Sequence, residues 1–290
     1  MKDFIRLIRV PQWIKNFFVF IPVVYSRNLF HYEYFVQSLN AFFIFCLFSS
    51  VVYVINDIVD AEADRHHPVK KNRPVASGNI SGGNASVIGL VLFLIGAVLA
   101  LSTNLKFQLF AALFLLINII YSFKLKHIVL LDIFSIAAGF MIRVTAGALI
   151  ISVEISSWLI LTTMFLSLFL AVMKRRSEIF VTGVDQISAR KVLEYYSTNF
   201  IDQMATIAAA GVIVSYALYT VSQRTITVFQ TEHLIYTTPF VVYGIFRYMF
   251  LVMTHNKGEN TTEIMVTDIS TIVNICLYGL TTILIVYKLT

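Results

Sequence analysis

Charged residues are scarce in this chain. Asp, Glu, Lys and Arg together make up 13% of its 290 residues, against roughly 25% in a soluble domain. Hydrophobic residues make up 58% and the mean hydropathy is +0.80. That balance excludes a soluble globular protein and implies an integral membrane one, short enough for a single domain over 1–290. Cysteine is nearly absent: Cys46 and Cys276 each stand alone in an apolar run, which suits small buried residues and argues against redox chemistry. Low-complexity segments and internal repeats are missing. So is a cleavable leader, because Met1 to Arg9 is charged and amphipathic and Pro11-Gln12-Trp13 interrupts any apolar core. The net charge of +6 lies mostly in loop lysines and arginines, as membrane topology requires, and does not point to nucleic acid.

What is present is a series of long apolar runs. Nine are long enough to span a bilayer, at 13–29, 36–56, 85–104, 107–122, 130–151, 156–174, 202–222, 233–253 and 268–287. The expected fold is therefore an all-α integral membrane protein of about nine transmembrane helices. With nine spans, fifteen of the 22 lysines and arginines fall on one face and four on the other, leaving Lys15, Arg143 and Arg247 inside spans. This asymmetry places the first face, with the N-terminus, in the cytoplasm and the protein in the inner (plasma) membrane. Homo-oligomerisation is compatible with the sequence and not specified by it.

The densest chemistry is Asn56-Asp57-Ile58-Val59-Asp60-Ala61-Glu62-Ala63-Asp64, directly after the apolar run Ala41 to Ile55. At about 100° per helical residue, Asn56, Asp57, Asp60 and Asp64 share one stripe about 100° wide, and Glu62 points the other way. Three carboxylates on one stripe repel each other unless cations lie between them, and such a set at the end of a membrane helix marks a functional site. Oxygen ligands beside a phosphate partner suit Mg²⁺. Asp57, Asp60 and Asp64 are therefore the expected metal and catalytic residues, with Asn56 orienting them.

Cations surround this stripe in sequence. The 2–3 loop presents Lys70, Lys71 and Arg73 between two prolines and Gly78, and carboxylates for a divalent ion beside cations for phosphate oxygens make a diphosphate site. The plainer alternative is a solvated loop with offsetting charges. His66 and His67 offer metal ligands, but no second His or Cys cluster joins them. The 4–5 loop adds Lys124 and Lys126. Asp132 opens the fifth span, and Arg143 lies about three turns later on the same face, as a phosphate contact or half of a structural ion pair. The sixth span ends Lys174-Arg175-Arg176-Ser177-Glu178, where cations favour a helix C-terminus and can meet phosphate or anchor the interface. Lys15 and Asn16 sit inside the first span as a further candidate cluster for an anion.

The Asn-Asp-x-x-Asp-x-x-x-Asp pattern at 56–64, in a nine-span basic-inside chain, resembles the UbiA superfamily of intramembrane prenyltransferases. Five further segments, with 67–78, narrow the resemblance: Pro11-Gln12-Trp13-Ile14-Lys15-Asn16, Tyr121-Ser122-Phe123-Lys124-Leu125-Lys126, Arg143-Val144-Thr145-Ala146-Gly147-Ala148, Lys174-Arg175-Arg176-Ser177-Glu178 and Glu259-Asn260-Thr261-Thr262-Glu263. Together they are similar to the superfamily's decaprenyl-phosphate phosphoribosyltransferase branch, from about residue 6 to 270. The resemblance implies helices around a cytoplasm-facing central cavity. It also implies Mg²⁺-dependent transfer of a 5-phosphoribosyl group from phosphoribosyl diphosphate to a polyprenyl phosphate. Lys15, Lys70, Arg73, Tyr121, Lys124, Lys126, Asp132, Arg143, Lys174 and Arg175 are then the expected substrate-binding residues. The main alternative is a UbiA-type enzyme that moves a prenyl group from a prenyl diphosphate to an aromatic acceptor. Many such enzymes carry a second Asp-x-x-x-Asp motif at the fifth span, where this chain has Asp132-Ile133-Phe134-Ser135-Ile136. A transporter is the least favoured class, because the acidic groups gather at one face and no repeat is visible.

Overall fold

The computed structural model describes residues 2–66, 70–182, 191–255 and 267–288. Its regular structure is helical throughout. In chain order the α-helices are α1 (Lys2–Ile8), α2 (Ile21–Tyr25), α3 (Tyr32–Val59), α4 (Ala61–Arg65), α5 (Gly82–Leu101), α6 (Leu105–Phe123), α7 (Leu131–Ile150), α8 (Ser157–Thr182), α9 (Thr198–Val221), α10 (Gln223–Phe229), α11 (Thr238–His255) and α12 (Ile269–Tyr287). Among the described residues, eight helices are long and apolar enough to cross a membrane: α3, α5, α6, α7, α8, α9, α11 and α12. These match the second to ninth expected spans. The first expected span, 13–29, is not one of them. A 3₁₀ helix, Val10–Phe20, followed by the short α2 occupies most of it.

The winding of this segment matches its packing against α3. In a 3₁₀ helix residues three apart eclipse each other, so Val10, Trp13, Asn16 and Val19 form one straight stripe, whereas α winding would rotate that stripe steadily away. The stripe lies against α3 and runs antiparallel to it. Trp13 Nε1 donates to Ser50 Oγ at 3.0 Å, and Asn16 Nδ2 donates to Cys46 Sγ at 3.2 Å. The rings of Phe20 and Phe35 come within 6.2 Å at the far end. At about 2.0 Å per residue the eleven residues reach roughly 22 Å, against about 16 Å for α winding.

The helices form two compact units. The first comprises Met1–Val23, His31–Ser135 and Ile142–Val153, with α3 at its centre. Leu7 of α1 is buried with Val54, Val75 and Ala85, and Ile8 with Val51 and Leu92, which pins α1 to one end of α3 and α5. The α5–α6 hairpin carries an apolar exposed surface, including Leu90, Leu94, Val98, Leu109 and Leu116, as lipid-facing helices do. Gly147 brings the start of the chain close to α7: a Cβ there would lie 2.2 Å from the Val19 carbonyl oxygen.

The second unit comprises Val24–Phe30, Ile136–Met141 and Glu154–Thr290. Here α8 packs along α9, and α11 packs on α12. Tyrosines line its interior, with Tyr216 and Tyr219 buried and Tyr25 and Tyr278 half-buried. Tyr25 and Tyr278 share a hydrogen bond, and Tyr216 is bonded to Thr237 Oγ1 at 2.6 Å, so their hydroxyls are satisfied as burial requires. Asp268 caps α12 by accepting from Thr271 N–H at 2.9 Å, and the Arg247 guanidinium beside it holds its carboxyl below the usual range.

Candidate active site

The acidic stripe forms where α3 gives way to α4. Asp60 sits at the junction in a non-helical conformation, yet the i→i−4 pattern runs through it: Asp60 N–H donates to the Asn56 carbonyl at 2.9 Å and Asp64 N–H to the Asp60 carbonyl at 2.8 Å. The bend therefore preserves the expected angular order. Asp57 and Asp64 are buried, Asn56 and Asp60 half-buried, and Glu62 faces outward, paired with Arg65 at 3.0 Å.

Each of the three aspartates meets its own cation. Arg9 Nη2 lies 2.5 Å from Asp57 Oδ1, Arg73 Nη1 lies 2.5 Å from Asp64 Oδ2, and Lys126 Nζ lies 2.7 Å from Asp60 Oδ1. Arg73 also approaches Asp57 at 3.7 Å. Its position comes from the loop behind it: Ser77 N–H bonds the Arg73 carbonyl and Ile80 N–H the Pro74 carbonyl, with Gly78 at φ 82° closing the turn. Lys126 projects from a single 3₁₀ turn, Leu125–His127, and is 8% exposed. With all six groups ionised, the row carries three negative and three positive charges.

A second polar cluster lies farther along α3. Arg143 on α7 is buried; its Nε donates to Asn16 Oδ1 at 2.7 Å, its Nη2 to Ser49 Oγ at 3.2 Å, and its guanidinium lies over the Phe114 ring at 4.5 Å. Lys15 is half-buried in the electrostatic field of Arg143 and Arg9, with no anionic partner among the described residues. The Arg143-Val144-Thr145-Ala146-Gly147 segment now has a physical reading. Gly147 permits the close approach to Val19, and Arg143, one turn earlier on the same face, is thereby delivered to Asn16.

The family model for the UbiA prenyltransferase family matches residues 19–262. This chain belongs to that family. Among curated relatives, decaprenyl-phosphate phosphoribosyltransferase of Corynebacterium glutamicum is 33% identical over 74% of this chain and 66% of its own length. The enzyme of the same name from Mycolicibacterium smegmatis is 33% identical over 76% of this chain and 70% of its own. Among solved structures, a UbiA homolog from Archaeoglobus fulgidus bound to GPP and Mg²⁺ superposes with a TM-score of 0.71. It covers 98% of this chain and 97% of the homolog at 17% identity, a likeness of fold.

In this UbiA-family chain the remaining expected residues lie on several different elements. Lys70 opens a short 3₁₀ turn directly before Arg73, while His67 and the two residues after it lie outside the described residues. Tyr121 is half-buried in the last turn of α6, Lys124 is exposed at its C-terminus, and Asp132 is fully buried in the first turn of α7. Lys174 and Arg175 belong to the second unit. Arg175 is fully buried and paired with Glu178, and its neighbour Arg176 is bonded to Asp202 at 2.6 Å. The segment Glu259 to Glu263 lies outside the described residues. Sequence reasoning missed Arg9 as a site residue, because a cation just before a span reads as a topology signal.

Among the described residues no three His, Cys, Asp or Glu side chains are grouped closely enough to hold a metal together, so a cage of all three aspartates is not formed. Asp57 nevertheless has a buried Oδ2 without any hydrogen-bond partner, and the Asp60 side chain is 32% exposed. A bare carboxylate oxygen and a partly open carboxylate three residues on along the same stripe fit Mg²⁺, which takes one or two carboxylates and completes its shell with water and substrate phosphate.

Proposed function

We propose that this chain transfers a 5-phosphoribosyl group from phosphoribosyl diphosphate to a polyprenyl phosphate and releases diphosphate. The observation that carries the reading is the row of three aspartates alternating with Arg9, Arg73 and Lys126, in a chain similar to two decaprenyl-phosphate phosphoribosyltransferases over about three quarters of its length. Both units serve one domain in this reading, since the family match runs through both. The row faces the cytoplasm, in keeping with the charge asymmetry of the loops.

In the reaction the bond from the anomeric carbon to the diphosphate oxygen breaks, and a bond from that carbon to a lipid phosphate oxygen forms. The carbon passes through an oxocarbenium-like state. The lipid phosphate is already anionic, so no side chain has to remove a proton. The work left to the protein is positioning and charge stabilisation. Arg73 and Lys126 bind the departing diphosphate, Asp57 and Asp60 would hold Mg²⁺, and Asn56 and Asp64 keep the row in order. Bound there, Mg²⁺ would supply neutralisation of the developing diphosphate charge. The donor carries a 5-phosphate that a prenyl diphosphate lacks. Lys15, with Arg143 nearby, is the cluster assigned to it, because Lys15 is a half-buried cation without an anionic partner among the described residues.

Donor choice tests this reading. Phosphoribosyl diphosphate with Mg²⁺ raises the thermal midpoint of the detergent-solubilised protein; at 100 times the dissociation constant the linkage is worth about 2.7 kcal/mol. Geranyl diphosphate at equal concentration raises it much less. The reverse order favours prenyl transfer to an aromatic acceptor.

A further inference from the structure

Arg9 stands out by its backbone and its partners together. It joins α1 to the 3₁₀ helix at φ 51° and ψ 50°, a left-handed conformation that a non-glycine residue rarely adopts. The residues on both sides are fixed: Leu7 and Ile8 are buried against α3 and α5, and Gln12 N–H bonds the Arg9 carbonyl at 2.8 Å. The strained turn sends the side chain back along α3. There the guanidinium lies 4.7 Å from the Tyr53 ring centroid and bonds Asp57 one helical turn on. The arginine is 24% exposed and the aspartate 1%, so the arginine has room to move and the carboxylate does not. Arg9 occupies only Oδ1 and leaves the buried Oδ2 bare.

From this geometry we infer that Arg9 is a stand-in cation: it occupies the Asp57 carboxylate while no divalent ion is bound, and it moves from the carboxylate to a donor phosphate oxygen when the ion arrives. The inference rests on the carboxylate row being a divalent-cation site. Charge balance favours an exchange. The resting row is neutral, with each aspartate matched by one cation. Adding a divalent ion alone would leave two positive charges in excess beside a membrane. Adding the ion together with an anionic diphosphate offsets that charge, and an arginine displaced from Asp57 by the ion then finds its anion in the adjacent phosphate. Rotation of the Arg9 side chain over Tyr53 achieves this without moving the backbone, which α1 and the 3₁₀ helix clamp. Arg9 thus makes the site select the ion and the diphosphate together, and it disfavours the ion alone. It acts as a positioning residue for Asp57 before the donor binds and as a phosphate ligand afterwards.

The test uses Mn²⁺ as the probe, with the purified full-length protein at pH 8 and no donor present, and follows free Mn²⁺ by electron paramagnetic resonance. Arg9→Gln removes the competing cation and tightens Mn²⁺ binding about tenfold, the change expected when a coupling of about 1.4 kcal/mol is lifted. Arg9→Lys keeps a cation and stays close to wild type. Arg6→Gln, on the exposed arginine that pairs with Asp3, leaves binding unchanged. A second readout guards against misfolding. The thermal midpoint of Arg9→Gln falls without metal and recovers with Mn²⁺ by more than wild type gains, whereas a merely structural arginine gives a loss that Mn²⁺ does not restore. Unchanged or weaker Mn²⁺ binding in a folded Arg9→Gln protein overturns the role of Arg9 and leaves the transfer reaction to its own assay. Wild-type binding that survives Asp57→Asn overturns both the exchange and the metal assignment.

Discussion

Arg143 and Asn16 meet at 2.7 Å across 127 residues of sequence, and the contact depends on a third residue, Gly147. Gly147 lies one turn beyond Arg143, where a Cβ would come within 2.2 Å of the Val19 carbonyl oxygen. That oxygen is backbone in a helix clamped along α3, so it cannot yield cheaply. Gly147→Ala is expected to destabilise the protein by about 1–3 kcal/mol and to draw Arg143 away from Asn16. Gly83→Ala, where nothing lies within 4 Å, is the contrast; a helical glycine replaced by alanine gains up to about 1 kcal/mol. Thermal unfolding in detergent separates the two, and equal midpoints would show that the close approach at Gly147 does not matter.

The carboxylates differ from their neighbour Glu62 in what they face. Asp57→Asn and Asp60→Asn each remove a charge while nearly preserving shape. Activity in each is expected to fall by at least about 100-fold with folding retained, the scale of losing a preorganised electrostatic contact. Glu62→Gln, on an exposed side chain paired only with Arg65, should leave turnover unchanged. Near-normal turnover in both aspartate variants would remove the row from catalysis.

Arg73 and Lys126 are predicted to act on the donor. Arg73→Lys keeps the charge and loses the planar fork, so the apparent KM for phosphoribosyl diphosphate should rise while the fold holds. Lys126→Ala frees Asp60 and should raise the same constant. Steady-state kinetics with the donor varied are the measurement. An unchanged KM in both would reduce these cations to topology signals.

Lys15 should report the donor's 5-phosphate. Lys15→Gln is expected to weaken phosphoribosyl diphosphate binding by about tenfold, the loss of one partly buried charge-assisted contact, while binding of inorganic diphosphate with Mg²⁺ stays within about twofold. Calorimetric titration of the two ligands distinguishes them, and equal losses for both would assign Lys15 to the diphosphate instead.

Much of this arrangement is legible in the sequence, and the reasons for the rest are physical. The order Asn56, Asp57, Asp60, Asp64 with Glu62 opposite follows from helical periodicity, and it survives the bend at Asp60 because the i→i−4 hydrogen bonds continue through it. The eight long α-helices follow from hydropathy and length. The 3₁₀ winding of Val10–Phe20 was not legible: the three-residue stripe Val10, Trp13, Asn16, Val19 mixes apolar, aromatic and polar residues, and only its fit to Ser50, Cys46 and Ser49 on α3 reveals it. Arg9 escaped for a related reason. Its partner lies 48 residues away, and its charge was already accounted for by topology. Among the described residues Asp57, Asp60 and Asp64 are not gathered around one point; each is turned toward its own cation, and those cations, far away in sequence, are what helical spacing alone does not place.

The central claim is the transfer itself. Purified protein in detergent, with Mg²⁺, ribose-labelled phosphoribosyl diphosphate and decaprenyl phosphate, should move label into the lipid phase and release one diphosphate for each label transferred, and Asp60→Asn should do neither. Label that stays in the aqueous phase, while the same protein moves a geranyl group from geranyl diphosphate to an aromatic acid, would contradict the account.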